Sequence, residues 1–150
     1  MADIGTFAGV AVGLLISHEF ADHWVQTEHQ SATKGRHDNT GRLACARHVA
    51  SYTAVTAVTV LVLWGAFRLD ITWPGFVTGQ LLSAVTHYWA DRRFTLARLA
   101  VLAGHAPFYA LGAPRDGRDD NPSLGTGAYA LDQSWHWAWL GVAAFLTVLI

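Results

Sequence analysis

Apolar residues gather along the chain into four long runs separated by polar stretches. The first extends from about Ile4 to Val25 and carries no charge between Ile4 and Ser17. The second spans about Leu43 to Phe67. The third follows the turn RLDITWPG and spans about Pro74 to Ala90, and the fourth spans about Gly127 to Ile150. A helix needs roughly 20 residues to cross a bilayer, so the pattern predicts transmembrane helices at about 4–25, 43–67, 74–90 and 127–150. No basic residue precedes the first run and no small-x-small site closes it, so it reads as a helix and not as a signal peptide. The segment 92–112, RRFTLARLAVLAGHAPFYALG, is amphipathic in part and reads as a helix lying in the membrane interface. The stretch PRDGRDDNPSLGTG after it has the composition of a solvated loop. The expected fold is all-α: an integral membrane four-helix bundle forming a single domain over 1–150, with an amphipathic cytoplasmic helix between the third and fourth crossings.

Composition agrees with this pattern. Of 150 residues, 52% are apolar and only 14% charged, where soluble domains carry charge on about a quarter of their residues. The net charge of −1 argues against a nucleic-acid partner. A single cysteine, Cys45, excludes an internal disulfide framework, and nothing near it in sequence marks an activated thiolate.

Basic residues set the expected orientation. Lys34, Arg36, Arg42 and Arg47 lie between or beside the first two helices, and Arg92, Arg93, Arg98, Arg115 and Arg118 lie between the last two. Only Arg68 falls on the opposite side. The positive-inside rule makes the basic side cytoplasmic. This predicts a multi-pass protein of the cell (inner) membrane with both termini extracytoplasmic. Trp24, Trp89, Trp135 and Trp137 would mark the cytoplasmic interface, and Trp64 and Trp73 the outer one.

In this topology the ionisable residues of all four helices fall at one depth. His18 and Asp22 close the first helix, His48 opens the second, His87 and Asp91 close the third, and Asp132 and His136 open the fourth. His18/Asp22, His87/Asp91 and Asp132/His136 are each four residues apart, so each pair shares a helix face. Tyr52 lies one turn deeper than His48. Ionisable residues inside membrane segments cost about 2.5–3.5 kcal/mol each and are functional by default. Four-helix bundles build di-metal sites by projecting carboxylates and histidines inward. Imidazole with carboxylate suits a divalent ion, zinc first and iron as a variant. His23 and Glu19 fall on other faces of the first helix, His29 and His37 lie in the first basic loop, and His105 is within reach of the site from the amphipathic segment. Gly5, Gly9 and Gly13 form a small-residue ridge suited to close helix packing, within the chain or in a homodimer.

The motifs HEFADHWVQTEHQSATKG, RHVASYT, HYWAD and ALDQSWHW occur in that order. Together they resemble the small bacterial and phage membrane proteins of domain-of-unknown-function family 3307. The matching positions are His18, Asp22, Gln26, Lys34, His48, His87, Asp91, Asp132, Gln133 and His136, with Arg92 or Arg93 where a lysine would follow Asp91. The resemblance covers nearly the whole chain and implies a shared site, but it carries no activity.

Two classes of function follow. The first is a membrane-embedded metal-dependent hydrolase acting on a lipid or amphipathic substrate at the cytoplasmic leaflet. Its metal ligands would come from His18, Asp22, His48, His87, Asp91, Asp132 and His136, with Asp22 or Asp91 as general base. Gln26 and Gln133 would orient ligands, and Lys34, Arg47, Arg92 and Arg93 would hold an anionic lipid headgroup. The second is a non-enzymatic proton or ion relay, or a haem-binding carrier with histidine axial ligands.

Overall fold

The computed structural model describes residues 3–113 and 126–150. The described residues form seven α-helices and no strand: α1 Ile4–Phe20, α2 Glu28–Thr33, α3 Asn39–Phe67, α4 Trp73–Asp91, α5 Phe94–Leu102, α6 Ala106–Tyr109 and α7 Gly127–Leu149. Most of the expected loop after residue 113, with Arg115 and Arg118, lies outside the described residues.

Local sequence fixes the helix ends. The Asp3 carboxylate accepts the Thr6 N–H at the start of α1. Thr27 and Gln30 form a reciprocal capping box on α2. Asp38 caps α3 by accepting the Gly41 N–H at 2.8 Å, so this helix begins four residues before its apolar run. That N–H, together with the Arg36 guanidinium, holds the Asp38 carboxyl below the ordinary carboxylate range. Thr72 and Pro74 start α4, and Thr126 starts α7. One expectation changes: the first helix is not α-helical through Val25. It widens into a π turn over Ala21–Val25, closed by the Gln26 N–H donating to the Ala21 carbonyl at 2.9 Å. Such turns insert one extra residue and cluster at functional sites.

The four long helices form a closed ring. α1 packs on α3 and α7, and α4 packs on the same two. The α4/α7 pair is the closest, because Gly75 and Gly79 face α7. A Cβ on Gly79 would lie 2.0 Å from the Thr147 Oγ1 and 2.9 Å from the Ala143 carbonyl. On the α1 ridge only Gly13 is pressed against a neighbour, Leu63 of α3; a Cβ on Gly9 would meet open space. The segment 94–112 forms two short helices, not one. α5 buries Leu96 and Ala100 and packs on α4 and α7.

The ring is apolar outside, and inside it a polar layer adjoins an apolar core. Its core holds Val10, Leu14, Val60, Leu140, Ala143 and Ala144. Beside them, Ser17, Thr56, Gln80, Ser83, Thr147 and four histidines are buried. The outward faces expose Val12 and Ile16 on α1, Val58 and Val62 on α3, Leu81 and Val85 on α4, and Val142 and Phe145 on α7. Two segments, Ile4–Val25 and Asn39–Phe67, are long and apolar enough to cross a membrane. Of the four expected crossings, α4 and α7 fall short of that apolarity. The buried face of α4 carries Gly75, Gly79, Gln80, Ser83, Thr86, His87 and Asp91, and α7 buries Gln133 and His136 beside the half-buried Asp132 and the exposed Ser134. Aromatic clusters lie at both ends of the ring: Trp64 with Trp73 (ring centroids 5.0 Å) and Trp89 stacked on Trp135 (4.6 Å).

Candidate metal centre

The ends of α1 and α4 meet the starts of α3 and α7, and the seven ionisable residues singled out in the sequence come together there. His18, His48, His87 and His136 are all buried, as is Asp91. The Asp22 side chain is 10% exposed and that of Asp132 29%. Three overlapping sets among these residues could hold a metal ion: His18, Asp22, His87 and His136; His48, His87 and Asp91; and Asp91, Asp132 and His136.

Distances give this cluster an internal order. The Nε2 atoms of His48 and His87 lie 3.0 Å apart. Asp91 Oδ2 lies 3.2 Å from the first and 3.3 Å from the second. A tetrahedral ion at about 2.0–2.1 Å from each donor needs donors about 3.3–3.4 Å apart, so these three atoms match one face of its coordination shell. Asp22 Oδ1 lies 3.3 and 3.5 Å from the same two nitrogens and makes a second such face.

Both carboxylates also turn their other oxygen to the second pair of histidines. Asp22 Oδ2 is 3.5 Å from His18 Nε2, and Asp91 Oδ1 is 3.9 Å from His136 Nε2. The His18 and His136 ring centroids are 4.9 Å apart. Two carboxylates therefore lie among four histidines, and His87, whose ring centroid is 4.2 Å from that of His136, is shared between the sets. His48 and His87 with one carboxylate make the two-histidine, one-carboxylate donor set of many divalent metal sites. The π turn carries Asp22 and presents its carboxylate between the two pairs. Asp132 stands at the rim, with Oδ1 3.7 Å from His136 Nε2.

Neighbouring groups orient the ligands. The Tyr52 ring stacks on His87 at 3.9 Å, and its hydroxyl shares a 2.6 Å hydrogen bond with Ser83. One turn deeper, Thr56 donates to Gln80 at 2.8 Å. Glu19 Oε1 faces His18 Nδ1 at 3.5 Å and accepts the Trp137 indole N–H at 3.1 Å. Gln133 is buried beside Asp132 on α7, and Gln26 is half-buried after the π turn. Asp22 Oδ1, Asp91 Oδ2 and His136 Nε2 are buried without a hydrogen-bond partner. Buried polar atoms normally have partners, so acceptors converging in this way fit a cation.

Lys34, expected among the cations for a lipid headgroup, is buried with its ammonium 2.8 Å from Asp91 Oδ1. Three carboxylates against one ammonium leave a formal charge of −2 when the imidazoles are neutral. Burying that charge without compensation is very costly, and one divalent cation cancels it. Arg92 is also buried, its guanidinium donating to the Arg36 carbonyl, and Arg93 donates to the Ser31 carbonyl at 2.9 Å. These three basic residues fasten the α2 strap over the centre. Arg93 does so at φ 57°, a left-handed value uncommon for a residue with a side chain.

A cavity of about 350 Å³ opens beside the centre, with Lys34, Asp91, Arg93 and Asp132 on its wall. The remaining sequence candidates stay outside the cluster. His23 is 46% exposed and binds the Glu19 carbonyl, His37 stacks on Phe94, and His29 and His105 are exposed. Cys45 is buried, its thiol 3.7 Å from the Tyr88 carbonyl. The sequence reading missed the partnership of Lys34 with Asp91 and the Gly75/Gly79 contact. The second had a signal in the GFVTG motif of α4; the first had none in the helical periodicity.

No protein-family model, curated protein or solved structure matches the chain.

Proposed function

We propose that this chain is an integral membrane metal-dependent hydrolase. It would hold two divalent ions, zinc first, through His18, His48, His87 and His136 together with Asp22 and Asp91. The observation that carries the reading is that Asp22 Oδ1 and Asp91 Oδ2 each lie within 3.5 Å of the Nε2 atoms of both His48 and His87. Membrane integration is supported by the apolar outward faces of all four long helices, since a water-soluble bundle turns a polar face outward. All four long helices would then cross, with the basic side and the metal centre cytoplasmic and both termini outside.

Paired divalent ions supply Lewis acidity and lower the pKa of bound water to about 7. The chain's own groups do the rest. Asp91 and Asp132 both line the cavity, and Asp132, the more exposed of the two, is the general base of choice. It takes one proton from water; the water oxygen bonds to the ester centre, the ester bond breaks, and the alcohol leaves carrying a proton. Lys34 balances charge on Asp91, and the α2 strap limits access of bulk water. The two non-enzymatic alternatives fit the geometry less well. A relay needs a polar path through the ring, and Val10, Leu14, Val60 and Leu140 close the core below the polar layer. Haem needs a flat slot between facing histidines, and here the imidazoles pack on one another, His87 and His136 at 4.2 Å.

Plasma mass spectrometry of the detergent-purified protein tests the proposal. We expect two equivalents of zinc or iron, falling to one or fewer in His48→Ala/His87→Ala and in His18→Ala/His136→Ala. Asp132→Asn should keep both ions and lose ester hydrolysis. Absence of metal after reconstitution with zinc or iron would refute the reading, and a haem absorbance band would replace it.

A further inference from the structure

Beside the polar cavity lies a second, apolar one. It is a slot of about 260 Å³ between α5 and α7, lined by Leu99, Ala100, Ala103, Trp135 and Ala138. Leu96 lines both spaces, so they adjoin across one side chain. α5 exists as a packed helix because Leu96 and Ala100 are buried, and the small residues Ala100 and Ala103 leave the slot open.

We infer that the centre takes a single-chain anionic amphiphile, its phosphate-like head in the cavity between Lys34 and Arg93 and its alkyl chain in the α5–α7 slot. The inference rests on the metal reading for the head and on the slot alone for the chain. The slot, about 260 Å³ and open along one side, is of a size to take a segment of one alkyl chain.

Charge selects the head. On the cavity wall Lys34 and Arg93 balance Asp91 and Asp132, so without metal the cavity has no preference for an anion. Each divalent ion adds two positive charges. With two ions, the three carboxylates, Lys34 and Arg93 leave a net positive charge, which favours an anionic head such as a phosphate or phosphonate. Guanidinium and ammonium groups are the protein donors that recognise such a head. Tyr109 and Tyr129, also on the cavity wall, have hydroxyls able to donate to it. A head bound there would sit next to Asp132, and its chain would leave past Leu96.

The test uses hexadecylphosphonate and butylphosphonate, whose carbon–phosphorus bond resists hydrolysis, on the full chain in zwitterionic nanodiscs. Affinities are measured with zinc and with chelator. With zinc, Ala100→Phe should lower the ratio of hexadecyl to butyl affinity by about ten-fold, the size of penalty expected when a filled position is overpacked. Ala103→Trp, at the exposed mouth of the slot, should do the same and guards against misfolding at Ala100. Lys34→Gln should weaken both ligands by about ten-fold. Metal-dependent butylphosphonate binding with a ratio unmoved by both slot variants would overturn the inference and leave the metal centre standing. A ratio that responds to the slot variants in protein that takes up no metal would support the slot and remove the hydrolase.

Discussion

Replacing Lys34 by methionine separates the metal reading from a lattice of structural ion pairs. In the metal-free protein, the Lys34 ammonium is the cation that balances Asp91, at 2.8 Å. At an effective dielectric of about 20, charges that close attract by about 6 kcal/mol. Truncating one partner of a buried pair costs about 3–5 kcal/mol after relaxation, because the other charge stays behind. The local charge then goes from −2 to −3. For a chain of this length, each kcal/mol shifts the midpoint by about 2–4 °C, so chelated Lys34→Met should unfold about 6–20 °C earlier than the unmodified chain. With zinc, the ion held by Asp91, His48 and His87 supplies the missing positive charge. The loss should fall to less than half, and zinc should stabilise the variant more than the parent. Thermal unfolding in detergent, followed by tryptophan fluorescence with and without zinc, measures both differences. An equal loss in the two conditions would mean that no ion balances Asp91, and the centre would reduce to paired side chains.

Two further outcomes test how the centre is supported. Gly79→Ala should cost about 1–3 kcal/mol through overpacking, because its Cβ would strike Thr147 Oγ1, itself held to the Ala143 carbonyl at 2.8 Å. Gly9→Ala meets nothing within 4 Å and should stabilise by about 0.5–1 kcal/mol; equal effects in thermal unfolding would refute the packing account. Tyr52→Phe should lose about 1–2 kcal/mol with the 2.6 Å bond to Ser83. It should keep full metal content, since the ring still stacks on His87; loss of metal would mean that the hydroxyl, and not the ring, sets the imidazole.

What could be read from the sequence was whatever repeats with the helical period. The i, i+4 spacing of His18/Asp22, His87/Asp91 and Asp132/His136 puts each pair on one face wherever the helix packs. Alternating helix direction then brings all the pairs to one end. The four long helices follow equally from apolar run length, with Asp38, Thr72 and Thr126 marking three of their starts. The assignment of four crossings was stronger than apolarity alone supports. α4 and α7 hold the polar lining of the ring, and a helix that gives one face to buried Gln80, Ser83 and His87 loses average hydropathy even when its other face is Val77, Leu81 and Val85.

What escaped the sequence depends on three-dimensional closure. Lys34 ends a six-residue helix in a loop, and periodicity alone makes it one more surface cation. It reaches Asp91, 57 positions away, because Arg92 and Arg93 hold the neighbouring carbonyls of Arg36 and Ser31. The π turn escaped for a related reason. A widened turn has no compositional mark, yet it determines where the Asp22 carboxylate lies relative to His18, His48 and His87. The sequence therefore states which residue types gather at the end of the ring. Two backbone features, the π turn and the α2 strap, decide which carboxylate oxygens face which imidazoles. The contacts of those oxygens, with His48 and His87 on one side and with Lys34 on the other, are the feature that the metal count and the Lys34 variant examine.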